Sequence, residues 1–292
     1  RQMCIRDRHW SVHPERDQSW RDEQEVLLGP KGAAQECDCN FVSSGDTVID
    51  PQLLMFYKES YTQEPIEKTG FDGNLWKWEY PNYNASYVVV ADVARGDGGD
   101  YSAFHVIDCY SGEQVAEFYS NTTPINELAE VLNQTGQRYN LAVIFLERNT
   151  IGHNLIDHLF ERLQYENLYF DDKRNIGVQV TTKNRDQMLA SMEECLRLNR
   201  IKINSKRTVS ELNTFIVSRT GKVQAEKSKH DDLVTSLAIC AFGMTTYLED
   251  IPVNFIDGDG KTPSERLLAP HRLKSLKSYG GDVEEDITWL MK

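Results

Sequence analysis

Apolar residues along the chain fall into short runs separated by Gly, Pro, Asn and Ser, and the period of the runs changes in a definite order. Residues 9–50 are mainly polar, and "ERDQSWRDEQEVLLG" predicts a helix that stops at Gly29-Pro30. Residues 58–85, rich in Gly, Pro, Asn and aromatics, predict an irregular linker or covering segment. From Tyr87 the pattern sharpens. "YVVVADV" is a near-continuous β-branched run, as in a central strand covered on both faces. "YSAFHVIDC" at 101–109 and "EQVAEFYS" at 113–120 follow across glycine-containing turns, which gives three antiparallel strands. "PINELAEVLNQTG" opens after Thr123 with a proline and carries apolar residues at helical spacing. "LAVIFLE" at 141–147 is a further buried strand, with a helix after it over about 154–163. A short strand at 176–180, an amphipathic helix over 185–200, a brief strand in "IKIN", a helix in "TVSELNTFIV" and a strand fragment in "KVQA" come next. The final run, "DDLVTSLAICAFGMTTYL", is apolar nearly all round, which predicts a buried helix closing the core. It is too short, and too interrupted by Thr and Ser, to be a membrane span.

Three antiparallel strands followed by alternating helix and strand predict an α/β domain with a mixed sheet flanked by helices, in the order of the RNase H-like fold. The 292 residues leave room for one large domain or two ordinary ones, and 40% apolar with 26% charged residues is a soluble globular composition. Six scattered cysteines without a CxxC pair predict reduced thiols in a cytoplasm. A formal charge of −13 argues against coating nucleic acid by bulk charge. Residues 173–230 reverse the balance locally, with thirteen Lys and Arg against five Asp and Glu. Lys183, Arg185, Arg200, Lys202, Lys206, Arg207 and Lys229 could line a phosphate track there, with "TTKNR" at 181–185 its strongest part. For any single lysine, a solvated helix face is the plainer reading. No base-reading motif is evident, so weak sequence preference is expected.

The acidic residues change the picture most. Asp92 ends the first central strand and Glu147 ends the fourth. The RNase H-like order sets those two strands side by side, so both acids would emerge at one sheet edge. Asp231 and Asp232 start the last helix, where the N-terminus favours carboxylates. Asp231 is assigned as N-cap, which leaves Asp232 to face the sheet. Converging carboxylates repel unless cations bind. Mg²⁺ suits oxygen-only sites, and two such ions support phosphodiester cleavage. Asp100, closing the turn "RGDGGD", is an auxiliary acid or a plain turn residue. His230 is secondary, more a capping or surface residue than a ligand. Each acid also has a plainer role, as a strand end meeting solvent, an ion pair with Arg148, or a redundant cap.

Taken together, "VVVADVARGDGGDYSAFHVID", "VIFLERNTIG" and "KHDDLVTSLAI" closely resemble, in order and spacing, the nuclease domain of the large terminase subunit of tailed bacteriophages. The resemblance covers about residues 75–248; upstream, "AAQECDCNFVSSGDTVID" is similar to the end of that family's ATPase domain, and "EEDITWLMK" to its C-terminus. It implies a viral DNA-packaging enzyme of the host-cell cytoplasm, not bound to membranes, whose nuclease cuts concatemeric double-stranded DNA. It also implies portal protein and small terminase subunit as partners. The family's catalytic, metal-binding acids carry over to Asp92, Glu147 and Asp232, with Asp100 a further functional acid and Asp231 and His230 beside them. Mg²⁺ or Mn²⁺, as two ions, is the implied cofactor. No GxxxxGK[ST] loop occurs, so ATP is expected only in a motor outside this sequence. The expected organisation is a non-native leader over 1–8, the end of an ATPase domain with linker over 9–74, the nuclease domain over 75–248 and a tail over 249–292. Two other readings stay open: a Holliday-junction resolvase or transposase-like nuclease of the same fold, and a non-catalytic portal-docking module.

Overall fold

The computed structural model describes residues 10–37, 46–149, 151–171, 173–218 and 221–247. The expected leader and the tail over 249–292 lie outside the described residues. Helix α1, Gln18–Glu36, begins at Asp17, whose side chain accepts the Trp20 N–H at 2.9 Å. It runs through Gly29-Pro30 where a stop was expected. Proline's fixed φ is a helical one, and the helix forgoes a single N–H bond there.

Strand β1, Asp46–Thr47, precedes α2, Pro51–Ser60, which Asp50 caps by accepting the Gln52 and Leu53 N–H groups. The segment expected to be irregular then supplies two short strands, β2, Glu67–Thr69, and β3, Leu75–Lys77. They pair with each other across the boundary expected at 74/75, and β3 pairs onward with β6, Gln114–Ser120. Next to β6 lie β5, Ser102–Asp108, and β4, Tyr87–Asp92, and beyond β4 lies β7, Val143–Leu146. The six-stranded sheet thus has the order β2-β3-β6-β5-β4-β7, antiparallel except for the parallel β4–β7 pair. A second sheet, β1-β8-β9, uses β8, Phe215–Val217, and β9, Val223–Ala225. The helix expected in "TVSELNTFIV" accordingly ends early, at Asn213, where the chain turns into β8. The strands expected at 176–180 and in "IKIN" are reduced to single bridges, Val178 to Glu147 and Lys202 to Glu113 among them.

Helix α3, Ile125–Arg138, and helix α4, Gly152–Asp157, which continues as a π-helical turn His158–Arg162, cover one face of the sheet. Helices α5, Thr182–Arg197, and α7, Asp232–Tyr247, cover the other, with α6, Lys206–Asn213, beside α7. The alternation of β4 shows both layers: Val89 and Ala91 pack with Leu128, Leu132 and Leu155, while Val88 and Val90 pack with Met188, Leu237 and Ala241. That is why β4 is apolar at every position until Asp92. Helix α7 is buried from Leu233 to Ala241 except at half-buried Thr235, as its sequence predicts. Among the described residues no helix is long and apolar enough to cross a membrane.

Candidate active site

The parallel register sets Ala91 opposite Leu146, so Asp92 and Glu147 leave neighbouring strands at the same edge. The Glu147 N–H donates to the Ala91 carbonyl at 3.0 Å, which extends the ladder by one step. Beyond it, Asn149 Nδ2 donates to Glu147 Oε1 at 2.6 Å, and Gln179 Nε2 holds Asn149 Oδ1 at 2.8 Å. The start of α4 folds tightly over this strand end. A Cβ on Gly152 would lie 1.8 Å from the Glu147 carbonyl oxygen, so only glycine permits the approach.

Asp92 and Glu147 therefore stand side by side, near enough for the Glu147 carboxylate to act on the Asp92 carboxyl. Burial, then the Glu147 carboxylate, then the charge of Asp232, push the Asp92 carboxyl well above the usual range. Asp232 enters from the first residue of α7. Burial first and then the Asp231 charge raise its carboxyl to about 6, with Asp100 adding to this and His230 and the Tyr101 N–H opposing it. His230 Nδ1 stands 3.6 Å from Asp232 Oδ2, and its ring meets Tyr101 edge-on at 4.7 Å. The fold therefore brings Asp92, Glu147, Asp232, Asp100, Asp231 and His230 to one end of the sheet. Among the described residues, no three His, Cys, Asp or Glu side chains already close into a ligand set.

Asp231 differs from its expected role. Its carbonyl accepts the Thr235 N–H at 2.8 Å, as an N-cap residue's does, but its carboxylate turns to Arg185, 3.5 Å from Nη2. Two free N–H groups of α7 are taken by Glu211 of α6, whose Oε2 accepts from Leu233 at 2.9 Å and Val234 at 3.4 Å. Sequence reasoning missed Glu211, because a glutamate in "SELN" has the pattern of a solvated helix face. The ion pair considered for Glu147 and Arg148 is also different: Arg148 donates through both Nη atoms to Asp171, each at 3.0 Å.

The expected phosphate track divides. Lys183 is exposed in the first turn of α5, Arg185 touches Asp231, and Lys229 is exposed one residue before His230, so these three belong to the acidic end. Arg200 and Lys202 do not. Lys202 exchanges backbone hydrogen bonds with Gly112 and Gln114 at the start of β6. That is five residues, roughly 17 Å of strand, from Tyr119, which lies level with Asp92 through Ala103. Lys206 is paired to Glu64 at 2.7 Å. Arg207 is paired to buried Glu117 at 2.7 Å, with its guanidinium 3.7 Å over the Trp76 ring. These last four leave the track because the chain carries them to the opposite end of the sheet or into existing pairs. On the near side, a cleft of about 450 Å³ is lined by Arg148, Asp171, Lys173, Asn175, Gln179, Thr181 and Asn184. A smaller cleft of about 180 Å³ is lined by Val93, Glu147, Asn149 and Ile151. The Gln179–Asn149 hydrogen bond links the two.

A mixed sheet in this order, with acids at the ends of its central strands and of the closing helix, is an RNase H-like α/β domain. The terminase RNase H-like domain family matches residues 89–242, and the chain belongs to that family. Solved structures agree on the fold. The large terminase nuclease of thermophilic phage G20c with bound magnesium superposes with a TM-score of 0.55 at 17% identity, over 68% of this chain and 98% of that one. Its cobalt-bound form gives 0.55 at 19% over the same shares. The large terminase nuclease domain of Thermus phage P74-26 gives 0.51 at 19% identity, over 64% of this chain and 92% of that one.

Proposed function

We propose that the chain is a divalent-metal-dependent endonuclease of a viral genome-packaging terminase, cutting concatemeric double-stranded DNA in the host-cell cytoplasm. The observation that carries this reading is the parallel register that brings Asp92 and Glu147 out side by side at the sheet edge, with Asp232 close enough to raise the Asp92 carboxyl further. A carboxyl pair held together in a partly buried place is unfavourable by itself, and a hard cation removes the cost. The donor set fits Mg²⁺ or Mn²⁺, since all its atoms are oxygens and Mg²⁺ binds through one or two carboxylates with water and substrate phosphate making up the rest. Asp92, Glu147 and Asp232 would hold the metal, with Asp100 as an auxiliary acid.

Two bound ions would supply an activated water and neutralise the leaving oxygen of the phosphodiester. The chain's own groups do the positioning. Asn149 fixes the Glu147 carboxylate, and His230 stands beside that of Asp232. Lys183, Arg185 and Lys229, with Arg148 and Lys173 in the adjoining cleft, offer cations to the DNA backbone on the side where the acids open. The portal protein and the small terminase subunit are the proposed partners.

The test is cleavage of supercoiled plasmid in Mg²⁺ or Mn²⁺. The unmodified chain should nick and linearise it, chelation should stop the reaction, and Asp92→Asn should abolish it. Nicking that survives Asp92→Asn refutes the assignment. A folded but inactive parent chain would point to the docking role instead.

A further inference from the structure

Helix α7 is capped from outside itself. A helix N-terminus is ordinarily closed by its own Ser, Thr, Asp or Asn. Here two aspartates stand at the right place, and neither carboxylate does the work. Glu211, 22 residues upstream and buried, supplies the acceptor for the Leu233 and Val234 N–H groups. Its other oxygen accepts the Tyr119 hydroxyl at 2.7 Å. The Tyr119 ring stacks on Tyr101, with centroids 4.2 Å apart and planes 5° from parallel. Tyr101 in turn meets the His230 ring edge-on at 4.7 Å, and His230 Nδ1 stands 3.6 Å from Asp232 Oδ2.

We infer that Glu211 is a positioning residue for Asp232, holding the helix turn that carries it through one oxygen and the aromatic stack that stands beside its carboxylate through the other. By closing the helix itself, Glu211 leaves the Asp232 carboxylate free of capping duty and available to a divalent cation. This rests on the proposed reading of Asp232 as part of a metal site.

Mn²⁺ alone is titrated by calorimetry into the parent chain, Glu211→Ala, Glu211→Gln and Tyr119→Phe, and plasmid cleavage is followed in parallel. Outer residues that orient metal ligands typically change affinity or activity by about 10–100-fold. Glu211→Ala should weaken Mn²⁺ binding by about tenfold and lower kcat with the KM for DNA unchanged. Glu211→Gln keeps an amide oxygen for the two N–H groups and should recover most of the affinity. Tyr119→Phe should weaken binding without disturbing the packed core. A Glu211→Ala chain that melts lower yet binds Mn²⁺ as the parent does overturns the inference, since Glu211 then only caps a helix. Should that variant fail to fold, parental affinity in Tyr119→Phe overturns it equally. A parent chain that binds Mn²⁺ but cuts no plasmid refutes the nuclease reading while the affinities still judge Glu211.

Discussion

Glu117 lies in the middle of β6 with no solvent exposure, and its replacement should be among the most damaging single changes in the domain. Its Oε1 accepts from Ser205 Oγ at 2.8 Å and Arg207 Nε at 2.7 Å. Its Oε2 accepts from Gln114 Nε2 at 3.1 Å and from the Thr208 hydroxyl. Glu117→Ala strands four donors at once, one of them charged. Removing one partner of a buried ion pair costs roughly 3–5 kcal/mol, because the other charge stays desolvated and alone. For a domain of this size that corresponds to a fall in Tm of roughly 6–20 °C. The assay is urea and thermal unfolding followed by circular dichroism, with Glu117→Leu/Arg207→Met as the paired control. Exchanging both charges for apolar groups removes the orphaned charge with the pair, so the double variant should recover much of the loss. A Glu117→Ala chain that loses less than about 1 kcal/mol, as at an exposed surface pair, would refute the reasoning.

The same network makes a pH prediction through buried His105, whose Nδ1 meets Gln114 and whose Nε2 donates to the Leu233 carbonyl at 2.9 Å. Burial lowers its pKa from 6.5, with Arg207 adding to this and Glu117 and the Leu233 carbonyl opposing it, so the unfolded chain binds the proton more readily. The stability due to His105 is therefore present above pH 6.5 and lost as pH falls below it, by up to about 1.4 kcal/mol per pH unit. His105→Gln should flatten that fall in urea titrations between pH 7 and 5, and an unchanged slope would count against it. For DNA binding, Lys183→Gln should reduce the salt slope of affinity by about one phosphate contact, whereas Arg200→Gln, at the far end of the sheet, should leave it unchanged. Fluorescence anisotropy over a salt series separates the two, and equal effects would restore a single track.

What the sequence made legible follows the physics of burial. β4 and β7 are covered on both faces, so they show as unbroken apolar runs, and the acid that ends each run marks the sheet edge. The helix beginning at Asp232 is legible for the same reason. β2 and β3 are three residues each, too short to show a period, and gain their pairing only from β6. Arg207 and Lys206, adjacent at a helix start, have the pattern of a solvated face. The contrary signal lay elsewhere, in a glutamate within the apolar strand "QVAEFYS", which requires a buried cationic partner. Glu211 left no such mark, because its burial is set wholly by contacts with α7 and Tyr119.

These pieces meet in α6. Glu117 and Tyr119 stand two apart on β6 and so share a face, about 7 Å apart along the strand. Arg207 and Glu211 stand four apart on α6, one helical turn or about 6 Å. The spacings match, and the helix is fastened to the strand at both points, Arg207 to Glu117 and Glu211 to Tyr119. The first turn of α7 is then held on two sides, its N–H groups by Glu211 and its Leu233 carbonyl by His105, which pairs across from Glu117 on β5. Asp232 thus takes its position from β5 and β6 through α6, not from the capping preferences of its own helix. A defect at Glu117 should accordingly reach the acidic edge through α6, which ties the stability of the buried pair to the geometry of the carboxylates that the proposed chemistry needs.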